Sequence, residues 1–456
     1  MLDREFMLLV TSFRRLLRRN ATKAVKKMIR KTHAADLALV FRSFTDRERR
    51  TIFELIEDEN YKAELIAELD EDIFNQIISD YEAEEIKKMI LELPEDDEAD
   101  ILEKLPDQIE DEILDSMGSE RSEEIGELLK YSSDTAGGLM RTLPFKMNQN
   151  STVSEAIKTV QHQEDMELVF YVYVVDDEGR LTGVLSLREL LSVSPGSLLK
   201  EVMRKDLISV KPSTDQEKVA RIISRYDFMA LPVVDNNNKL LGIVTIDDII
   251  DVMRDEATED FLQMAGVGKS HDVLSLPTSK SIAKRFPWLF ATFLGGVIAS
   301  LIVMQFENLV TQFALISSFI PIIAGMGGNV GIQSSIIIVR GISTDMINYK
   351  RLGKVVLRQI SIGTALGLGY GLFLSLFSIL FYQGHHMIGQ LALATGVALL
   401  FTIIIASTVG SIIPLVFDRI NIDPAIATGP IVTTCVDVIS VTAYLSFAYY
   451  LLIYLY

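Results

Sequence analysis

The C-terminal region of this chain contains five long stretches almost free of charged side chains. Four of them hold no Asp, Glu, Lys or Arg, and the fifth holds one aspartate, Asp437. The stretches are residues 286–306, 308–339, 359–382, 387–417 and 424–456. A helix needs about 20 apolar residues to cross the hydrocarbon core of a bilayer, which tolerates almost no charge. The sequence therefore predicts five membrane-spanning helices.

The charge of the chain divides at the start of this region. The first 278 residues hold 57 acids and 35 bases, and the last 178 hold five acids and nine bases. An acidic, water-soluble part thus precedes a membrane part. Net acidity argues against a nucleic-acid partner, whose phosphates require a basic surface. The single cysteine, Cys435, excludes an intrachain disulfide framework and a multi-cysteine metal site.

Basic residues between the stretches predict the orientation in the membrane. They lie before the first stretch and between the second and third, at Lys280, Lys284, Arg285, Arg340, Lys350, Arg351, Lys354 and Arg358. The first-to-second and third-to-fourth connections hold no Lys or Arg, and their charged or titratable residues are Glu307, His385 and His386. Arg419 follows the fourth stretch. Positive connections stay in the cytoplasm. We therefore expect a multi-pass protein of the cell membrane with cytoplasmic N-terminal domains and an extracellular C-terminus.

The N-terminal part carries helical patterns. Residues 14–31 hold nine bases and no acid, on a pattern that predicts one amphipathic helix rather than a headgroup-binding arm. Residues 54–127 hold 29 acids and five bases, with Leu and Ile recurring at helical spacing and Pro94 and Pro106 between the repeats. This pattern predicts short antiparallel helices stacked into a small solenoid.

An internal repeat follows. Residues 173–186 align without gaps to residues 232–245, at an offset of 59, and each copy predicts a strand, a polar turn, a strand and a helix. The repeat resembles a tandem cystathionine-β-synthase (CBS) pair, a regulatory module that often binds adenosyl nucleotides such as ATP. Thr245 and Asp248 match the residues that such modules use toward ribose and phosphate. Thr-x-x-Asp before a helix is also the pattern of an ordinary N-cap, which is the interpretation we favour.

Acids are dense in the helix predicted after the second copy, over residues 247–264. Asp248, Asp251 and Asp255 share one face of this helix by their spacing. Like charges placed in this way repel one another unless a cation lies between them. A solvated polar face is the alternative, and it is favoured for any single one of these residues.

Three strings together resemble the MgtE family of magnesium channels and transporters. They read YSSDTAGGLM at 131–140, PIIAGMGGNVGIQ at 321–333 and DPAIATGPIVTTCVD at 423–437. The resemblance implies a multidomain integral membrane protein with an all-α superhelical N-domain (1–136), an α/β CBS pair (137–199 and 200–252), a connecting plug helix and linker (253–279) and a transmembrane domain of five helices (280–456). One departure is Val438-Ile439-Ser440, where many relatives have a glycine.

The resemblance also implies a homodimer whose pore lies on the two-fold axis, with a gate controlled by cytoplasmic Mg²⁺. It assigns the pore aspartate to Asp437 and the acid near the cytoplasmic mouth to Asp423, and Asn329, Gly325 and Gly328 of the second stretch are further candidates for metal binding in the pore. It assigns regulatory metal-binding roles to Asp96, Asp100, Asp248, Asp251, Glu256, Glu259 and Asp260. Helix–helix hydrogen bonding is an equally weighted alternative for Asn329.

The chemistry of Asp437 supports a pore role independently. No basic residue lies in any of the five stretches, so its charge needs water or a cation as compensation. Mg²⁺ normally keeps several waters, so two carboxylates related by two-fold symmetry are an adequate site. The alternatives are a protonated Asp437 hydrogen-bonded to Thr433 or Thr434, or a proton relay.

Helix breaks predict a polar path as well. Pro321, the glycines around Asn329 and the pair Gly429-Pro430 are expected to interrupt the second and fifth helices and to free carbonyl groups. Such groups are tolerated at membrane depth only within protein or beside water.

Three functions from different classes compete. The leading one is a Mg²⁺-conducting channel or transporter for uptake across the cytoplasmic membrane, closed by intracellular Mg²⁺. The second is a transporter of Mn²⁺ or Co²⁺, or a proton-coupled carrier, since a lone carboxylate suits these ions alike. The third is a membrane-anchored receptor or enzyme, which is disfavoured because no nucleophile–base pair, phosphate loop or metal triad appears. We expect no enzymatic activity.

Overall fold

A computed structural model describes residues 3–142, 145–162, 170–267, 277–344, 346–347, 351–382 and 388–454. His385 and His386 lie outside these ranges. The chain divides into two compact units, Met1–Arg254 and Asp255–Tyr456.

The first unit begins with ten short helices. They are α1 (Asp3–Arg18), α2 (Thr22–Ile29), α3 (Ala34–Phe41), α4 (Asp46–Glu54), α5 (Glu59–Ala67), α6 (Glu71–Ile78), α7 (Ala83–Ile90), α8 (Glu95–Glu103), α9 (Asp107–Ser116) and α10 (Ser119–Leu128). The prediction of a single helix over residues 14–31 is wrong, because α1 and α2 are separated at Asn20. This residue has a left-handed backbone with φ 47°, which asparagine tolerates better than most side chains.

These helices stack in two rows. Each odd-numbered helix from α1 to α9 contacts the next odd-numbered one, and α4 contacts α6 while α8 contacts α10. Apolar residues at helical spacing point between the rows, and Phe13, Leu37 and Ile86 are fully buried. The capping box of Thr45 and Glu48 begins α4. The predicted helical superhelix is confirmed.

The repeat forms two small sheets. The first repeat contains β1 (Lys146–Asn148), α11 (Val153–Gln161), β2 (Tyr171–Val175), β3 (Leu181–Ser186), α12 (Leu187–Leu190) and α13 (Leu199–Val202). The second contains α14 (Gln216–Tyr226), β4 (Ala230–Val234), β5 (Leu240–Thr245) and α15 (Ile246–Met264). Strand β2 pairs antiparallel with β3 and parallel with β1, and β4 pairs antiparallel with β5.

The two repeats bind each other through equivalent atoms. The amide of Leu181 donates to the carbonyl of Asn238 at 2.9 Å, and the amide of Leu240 donates to the carbonyl of Gly179 at 3.1 Å. Both donors and both acceptors are related by the sequence offset of 59. The predicted CBS pair is therefore a pseudo-symmetric module. The acid-dense helix predicted after it is α15.

Among its described residues, the second unit contains five helices long and apolar enough to cross a membrane. They are α16 (Thr278–Gln305), α18 (Leu315–Ser343), α19 (Leu352–Phe381), α20 (Ile388–Arg419) and α22 (Pro430–Tyr454), with short α17 (Glu307–Gln312) and α21 (Ala425–Thr428) between them. Helix α20 contacts α18, α19 and α22, whereas α16 contacts α22. A Cβ on Gly410 would lie 2.2 Å from the carbonyl oxygen of Gly331, so glycine permits the crossing of α18 and α20.

The expected break in the second span is wrong. Helix α18 continues from Leu315 to Ser343 through Pro321 and the glycines. Proline removes a single ladder hydrogen bond, which a long packed helix tolerates. The glycines serve close packing instead, since a Cβ on Gly327 would lie 2.6 Å from the Ser440 hydroxyl. The break in the fifth span is present at Gly429, which separates α21 from α22.

Candidate functional site

Asp437 lies on α22 beside the glycine-rich part of α18. A Cβ on Gly328 would lie 3.4 Å from Asp437 Oδ1 and 3.5 Å from Thr433 Cγ2. The aspartate side chain is half-buried, and no other group in the described part of the chain donates a hydrogen bond to it or forms an ion pair with it. Two spans therefore bring a bare helix backbone next to an uncompensated carboxylate.

The threonines near Asp437 have other roles. Thr433 Oγ1 donates to the carbonyl of Gly429 at 3.1 Å. Thr434 packs with its methyl group against Gly295 of α16, and its buried hydroxyl has no hydrogen-bond partner among the described residues. The hydrogen bonds required by the structural alternative for Asp437 are thus absent from the described structure.

A polar stripe runs along the exposed side of α18. Gly325, Asn329 and Gln333 follow at intervals of four residues and are all exposed in the single chain. No hydrogen bond joins the Asn329 amide to another helix in the ranges that the structure describes. Exposed amides at this depth are expensive in hydrocarbon, so this face requires water or another chain.

The break at Gly429 receives the end of the connecting helix. A Cβ on Gly429 would lie 2.6 Å from the carbonyl oxygen of Met264, and Gly266 packs against Pro430 with a left-handed φ of +71°. Asp423 precedes this break, and its Oδ1 accepts a hydrogen bond of 2.8 Å from the Ala425 amide. Asp423 thus forms a local side-chain turn just before the short helix α21. The end of α15 abuts the point where the fifth span is interrupted.

A second carboxylate group lies within the first unit, where α8 meets the start of α15. We call Asp96, Asp97, Asp100, Asp247 and Asp248 the junction acids. Arg141 Nε lies 3.1 Å from Asp96, and Arg141 Nη2 lies 3.3 Å from Asp247 and 3.2 Å from Asp248. The Thr245 hydroxyl, which is fully buried, donates to Asp248. Ser186 and Glu189 form a capping box at the equivalent positions of the first repeat, so Thr245 and Asp248 lie at the positions of a cap.

Burial raises the pKa values of these acids. Loss of water raises the pKa of Asp96 to about 7, although the Arg141 guanidinium opposes the shift. Desolvation also raises the pKa values of Asp97 and Asp100 to about 6, even though part of the Asp100 side chain remains exposed. The pKa of Asp248 is raised for the same reason. Sequence reasoning missed Asp97 and Arg141, and the only signal for Asp97 was the acid-dense string at 95–100.

The remaining predicted regulatory acids lie along α15. Asp251 forms an ion pair with Arg254 at 3.0 Å. The pKa of Glu68 is raised mainly by burial and also by the negative charge of Asp251. Glu259 accepts a hydrogen bond of 2.7 Å from Gln263. Glu256 and Asp260 lie on the same helix.

Within the described residues, no group of three or more His, Cys, Asp and Glu side chains is arranged to hold a metal ion. One property of the junction nevertheless suits a cation. Asp96 is only 6% exposed, and its Oδ1 has no hydrogen-bond partner in the part of the chain that the structure describes. A buried carboxylate oxygen without a donor fits a bound cation.

Comparison with known proteins covers both units. The family model of the MgtE divalent cation transporters matches residues 320–447, that of the MgtE intracellular N domain matches 32–134, and that of CBS domains matches 136–196 and 199–255. The magnesium transporter MgtE of Enterococcus faecalis is 37% identical over 330 residues, which are 72% of each chain. The chain belongs to the MgtE family. The magnesium transporter MgtE of Thermus thermophilus is 36% identical over 332 residues, again 72% of each chain.

A solved structure extends the MgtE likeness to the cytosolic part. The crystal structure of the cytosolic domain of the Mg²⁺ channel MgtE in complex with ATP superposes with a TM-score of 0.50 at 32% identity, over 53% of this chain and 99% of that one. Membership of the MgtE family makes the chain a multi-pass membrane transporter and not an enzyme. The hypothesis of a membrane-anchored receptor or enzyme is therefore wrong.

Proposed function

We propose that the protein takes up Mg²⁺ across the cytoplasmic membrane and that intracellular Mg²⁺ closes the path. The observation that carries this proposal is Asp437, a carboxylate within a span that has no cation of the described chain beside it. Its cost at the membrane centre is about 3 kcal/mol, which a transported divalent ion offsets. The family names of the relatives support Mg²⁺ over Mn²⁺, Co²⁺ or a proton-coupled mechanism.

The path is proposed to lie between two copies of the chain. The exposed stripe of Gly325, Asn329 and Gln333 is too polar for lipid, and a two-fold axis along it brings two such stripes and two Asp437 carboxylates together. Carbonyl oxygens of the glycine-rich backbone, including that of Gly328, and the Asn329 amide oxygen would complete the site for a largely hydrated ion. Asp423 would attract ions at the cytoplasmic mouth. With Asp423 on the cytoplasmic side of the membrane, the C-terminus lies outside the cell.

The regulatory acids are proposed to act through α15. Asp96, Asp100 and Asp248 at the junction, and Asp251, Glu256, Glu259 and Asp260 along the helix, would hold Mg²⁺ when it is abundant. Bound Mg²⁺ supplies positive charge that offsets repulsion between carboxylates. The end of α15 abuts the interruption at Gly429, so this contact is suited to transmit the state of the acidic helix to the fifth span.

ATP is proposed as a second regulatory ligand, at the CBS pair. The supporting observation is the ATP complex of a cytosolic domain that is 32% identical. Thr245 and Asp248 are the candidate contacts, although each is engaged by the other and Asp248 also by Arg141. ATP binding would compete with these contacts. Equilibrium binding of ATP to the wild type and to Thr245→Val, with Ser186→Ala as the matched change in the first repeat, tests this assignment.

A liposome assay tests the transport proposal. Purified full-length protein should admit Mg²⁺ faster than Mn²⁺ or Co²⁺ at equal concentration, and uptake should stop when millimolar Mg²⁺ is placed on the side of the soluble domains. Equal uptake of all three ions would contradict Mg²⁺ selectivity. Uptake that requires a proton gradient would identify a coupled carrier instead.

The same assay tests the gate. Gly429→Ala inserts a methyl group against the Met264 carbonyl and should raise the Mg²⁺ concentration that closes the path, while leaving uptake at low internal Mg²⁺ intact. Gly369→Ala on α19 is the matched control, because its Cβ meets open space. Asp251→Asn with Glu259→Gln and Asp260→Asn should raise the same concentration. Closure that is unchanged in both variants would exclude α15 from the gate.

A further inference from the structure

Helices α1 and α2 carry a basic surface that the proposed function does not use. Residues 14–31 hold nine bases and no acid. Arg14 forms an ion pair with Glu48 at 3.7 Å. Lys26 and Arg30 both form ion pairs with Glu57 at 2.6 Å. The remaining bases are exposed and form no ion pair with an acid in the ranges that the structure describes. We call them the basic face: Arg15, Arg18, Arg19, Lys23, Lys27 and Lys31.

The buried sides of the two helices explain why these bases lie at the surface. On α1, Phe13 is fully buried, and Arg15 and Arg18 lie on the opposite side of the helix. On α2, Lys23 and Lys27 are four residues apart and share the side opposite the two buried residues of that helix. The buried residues of α1 and α2 belong to the same apolar core. The basic face therefore covers the outside of the first two helices of the superhelix.

The fold of α1 and α2 does not account for all of these charges. Bases near the C-terminus of a helix are stabilised by its dipole, which suits Arg15 and Arg18 in the last turn of α1. Lys23 lies instead in the first turn of α2, where a cation is unfavourable, and this turn contains no acid. Like charges placed close together also repel one another. An anionic partner outside the chain would offset both penalties.

Two apolar side chains lie beside the basic face on α1. Met7 is 57% exposed and Leu8 is 58% exposed. At 3.6 residues per turn, they lie on the same side of α1 as Arg15 and Arg18. Exposed apolar residues beside bases on a helix are typical of binding to an anionic membrane surface, where the apolar side chains enter the boundary between headgroups and acyl chains. An acidic protein surface would pair with the bases but would give the two apolar residues no role.

We propose that α1 and α2 dock on the anionic lipid surface of the membrane in which the protein is embedded. The bases would contact lipid phosphates, and Met7 and Leu8 would enter the headgroup boundary. Because the same chain spans the membrane, its soluble part meets the bilayer at a high effective concentration, and a weak surface interaction is sufficient. The sequence pattern favoured an ordinary amphipathic helix over a headgroup-binding arm, whereas the exposed and unpaired bases of the folded chain favour headgroup contact. This inference goes beyond the proposed function and requires neither Mg²⁺ binding nor transport.

Hydrogen–deuterium exchange of the full-length protein in lipid nanodiscs tests this proposal. Discs of phosphatidylcholine alone are compared with discs that also contain phosphatidylglycerol, in buffer without Mg²⁺. Exchange of the α1 and α2 amides should be at least about threefold slower in the anionic discs, whereas exchange of the α6 amides should be the same in both. The difference should disappear in about 1 M NaCl, where the Debye length is about 3 Å.

Two triple variants separate a local effect from a change in net charge. Arg15→Gln with Arg18→Gln and Lys23→Gln should exchange equally in both kinds of disc. The matched control removes the same charge from three exposed bases elsewhere in the first unit, Lys130→Gln, Lys205→Gln and Arg225→Gln. It should keep the wild-type difference between the discs. All six positions are exposed, so both variants should fold.

The apolar residues provide the variant that distinguishes a membrane from an acidic protein. Met7→Ser with Leu8→Ser should reduce the protection in anionic discs by at least about twofold. Unchanged protection in this variant would overturn the choice of a membrane as the partner.

Three further results would overturn the proposal. One is equal exchange of wild-type α1 and α2 in the two kinds of disc at low salt. A second is exchange that is equally slow in both discs and becomes faster only in the basic-face variant, which would assign this face to the acids of a second copy. The third is equal protection in phosphatidylcholine discs by free glycerol phosphate, which would identify a site for soluble anions instead of a membrane contact.

Discussion

The protein contains two kinds of sheltered carboxylate, and they are compensated in opposite ways. At the junction, Asp96 is buried against Arg141, a cation that belongs to the chain. In the membrane unit, Asp437 is half-buried beside the glycine backbone at Gly328, with no base of the described residues near it. A carboxylate paired with a base of the same chain holds structure together, whereas one that lacks such a partner is available to a mobile ion.

The neighbours of the two carboxylates explain the difference. Arginine fills the space around Asp96 and supplies charge-assisted hydrogen bonds, which are stronger than neutral ones. Glycine leaves space beside Asp437 and supplies no charge. Four predictions test this comparison.

The largest effect is expected for Asp437→Asn. The amide keeps the volume of the side chain but removes the charge that attracts the ion, so Mg²⁺ uptake into liposomes should fall at least about tenfold. Thr442→Val, which removes an exposed hydroxyl from the same helix, is the control and should leave uptake unchanged. Normal uptake by a folded Asp437→Asn protein would end the assignment of Asp437 to the path.

The second prediction concerns the space beside Asp437. A Cβ on Gly328 would make ordinary contacts of 3.4 and 3.5 Å, so Gly328→Ala should keep uptake within about twofold of the wild type. Gly328→Val places further methyl groups against the carboxylate and should lower uptake by about fivefold. Gly369→Val, in open space on α19, separates this effect from a general loss of packing. Equal uptake by the two Gly328 variants would mean that the space is not used.

The third prediction is a pH dependence at the junction in the absence of Mg²⁺. The folded protein holds a proton on Asp96 with a pKa of about 7 and on Asp97 with a pKa of about 6, above the ordinary value of 3.8. Between pH 3.8 and about 7, the folded state therefore binds more protons than the unfolded state. The stability of the folded state falls as the pH rises through this range. Lowering the pH from about 8 to about 5 should slow exchange of the α8 amides by at least about threefold, after correction for intrinsic exchange.

Asp97→Asn is the variant that checks this origin. It removes one of the four junction carboxyl groups whose pKa values are raised, without touching the ion pairs of Arg141, so the pH dependence should become shallower. An unaltered slope in Asp97→Asn would assign the whole effect to the other three acids, Asp96, Asp100 and Asp248. Exchange that speeds up on acidification would contradict both assignments.

The smallest effect is expected at the cap of α15. Thr245→Val removes the hydroxyl that donates to Asp248 and should destabilise the CBS pair by about 1 kcal/mol, as loss of a helix cap does. Ser186→Ala at the equivalent position should have a similar effect on the melting temperature. A much larger loss for Thr245→Val would indicate that the hydroxyl also positions Asp248 within the Arg141 network.

Much of the fold follows from periodicity. Alternating apolar residues and an offset of 59 place both strand pairs, β2–β3 and β4–β5, at equivalent positions. Uncharged length predicts the five spans within a few residues at most ends. The strand pairs and the spans depend on the local pattern of apolar residues and on the transfer of side chains out of water. Both can be read directly from the sequence. The metal-binding roles of individual residues stay predictions.

Other features depend on which helices meet. The continuity of α18 through Pro321 was not predictable from composition, because neighbouring helices decide whether a proline and several glycines interrupt a span. The separation of α1 from α2 at Asn20 rests on one left-handed residue inside an otherwise regular pattern.

The order of residues identifies the acids that this protein must compensate: a lone aspartate in an apolar span, and a dense set of acids before it. How each acid is compensated depends on contacts between residues far apart in the chain. Asp96 and Arg141 are 45 residues apart, and Arg141 and Asp248 are 107 apart, so no local pattern relates them. Electrostatic partnership depends on distance and on the water excluded between charges, and both are set when the fold brings Asp96 of α8 and the acids at the start of α15 to Arg141. At Asp437, the packing of α22 beside α18 places Gly328 next to the carboxylate. Glycine supplies no charge, so the carboxylate has no compensating base from this neighbour.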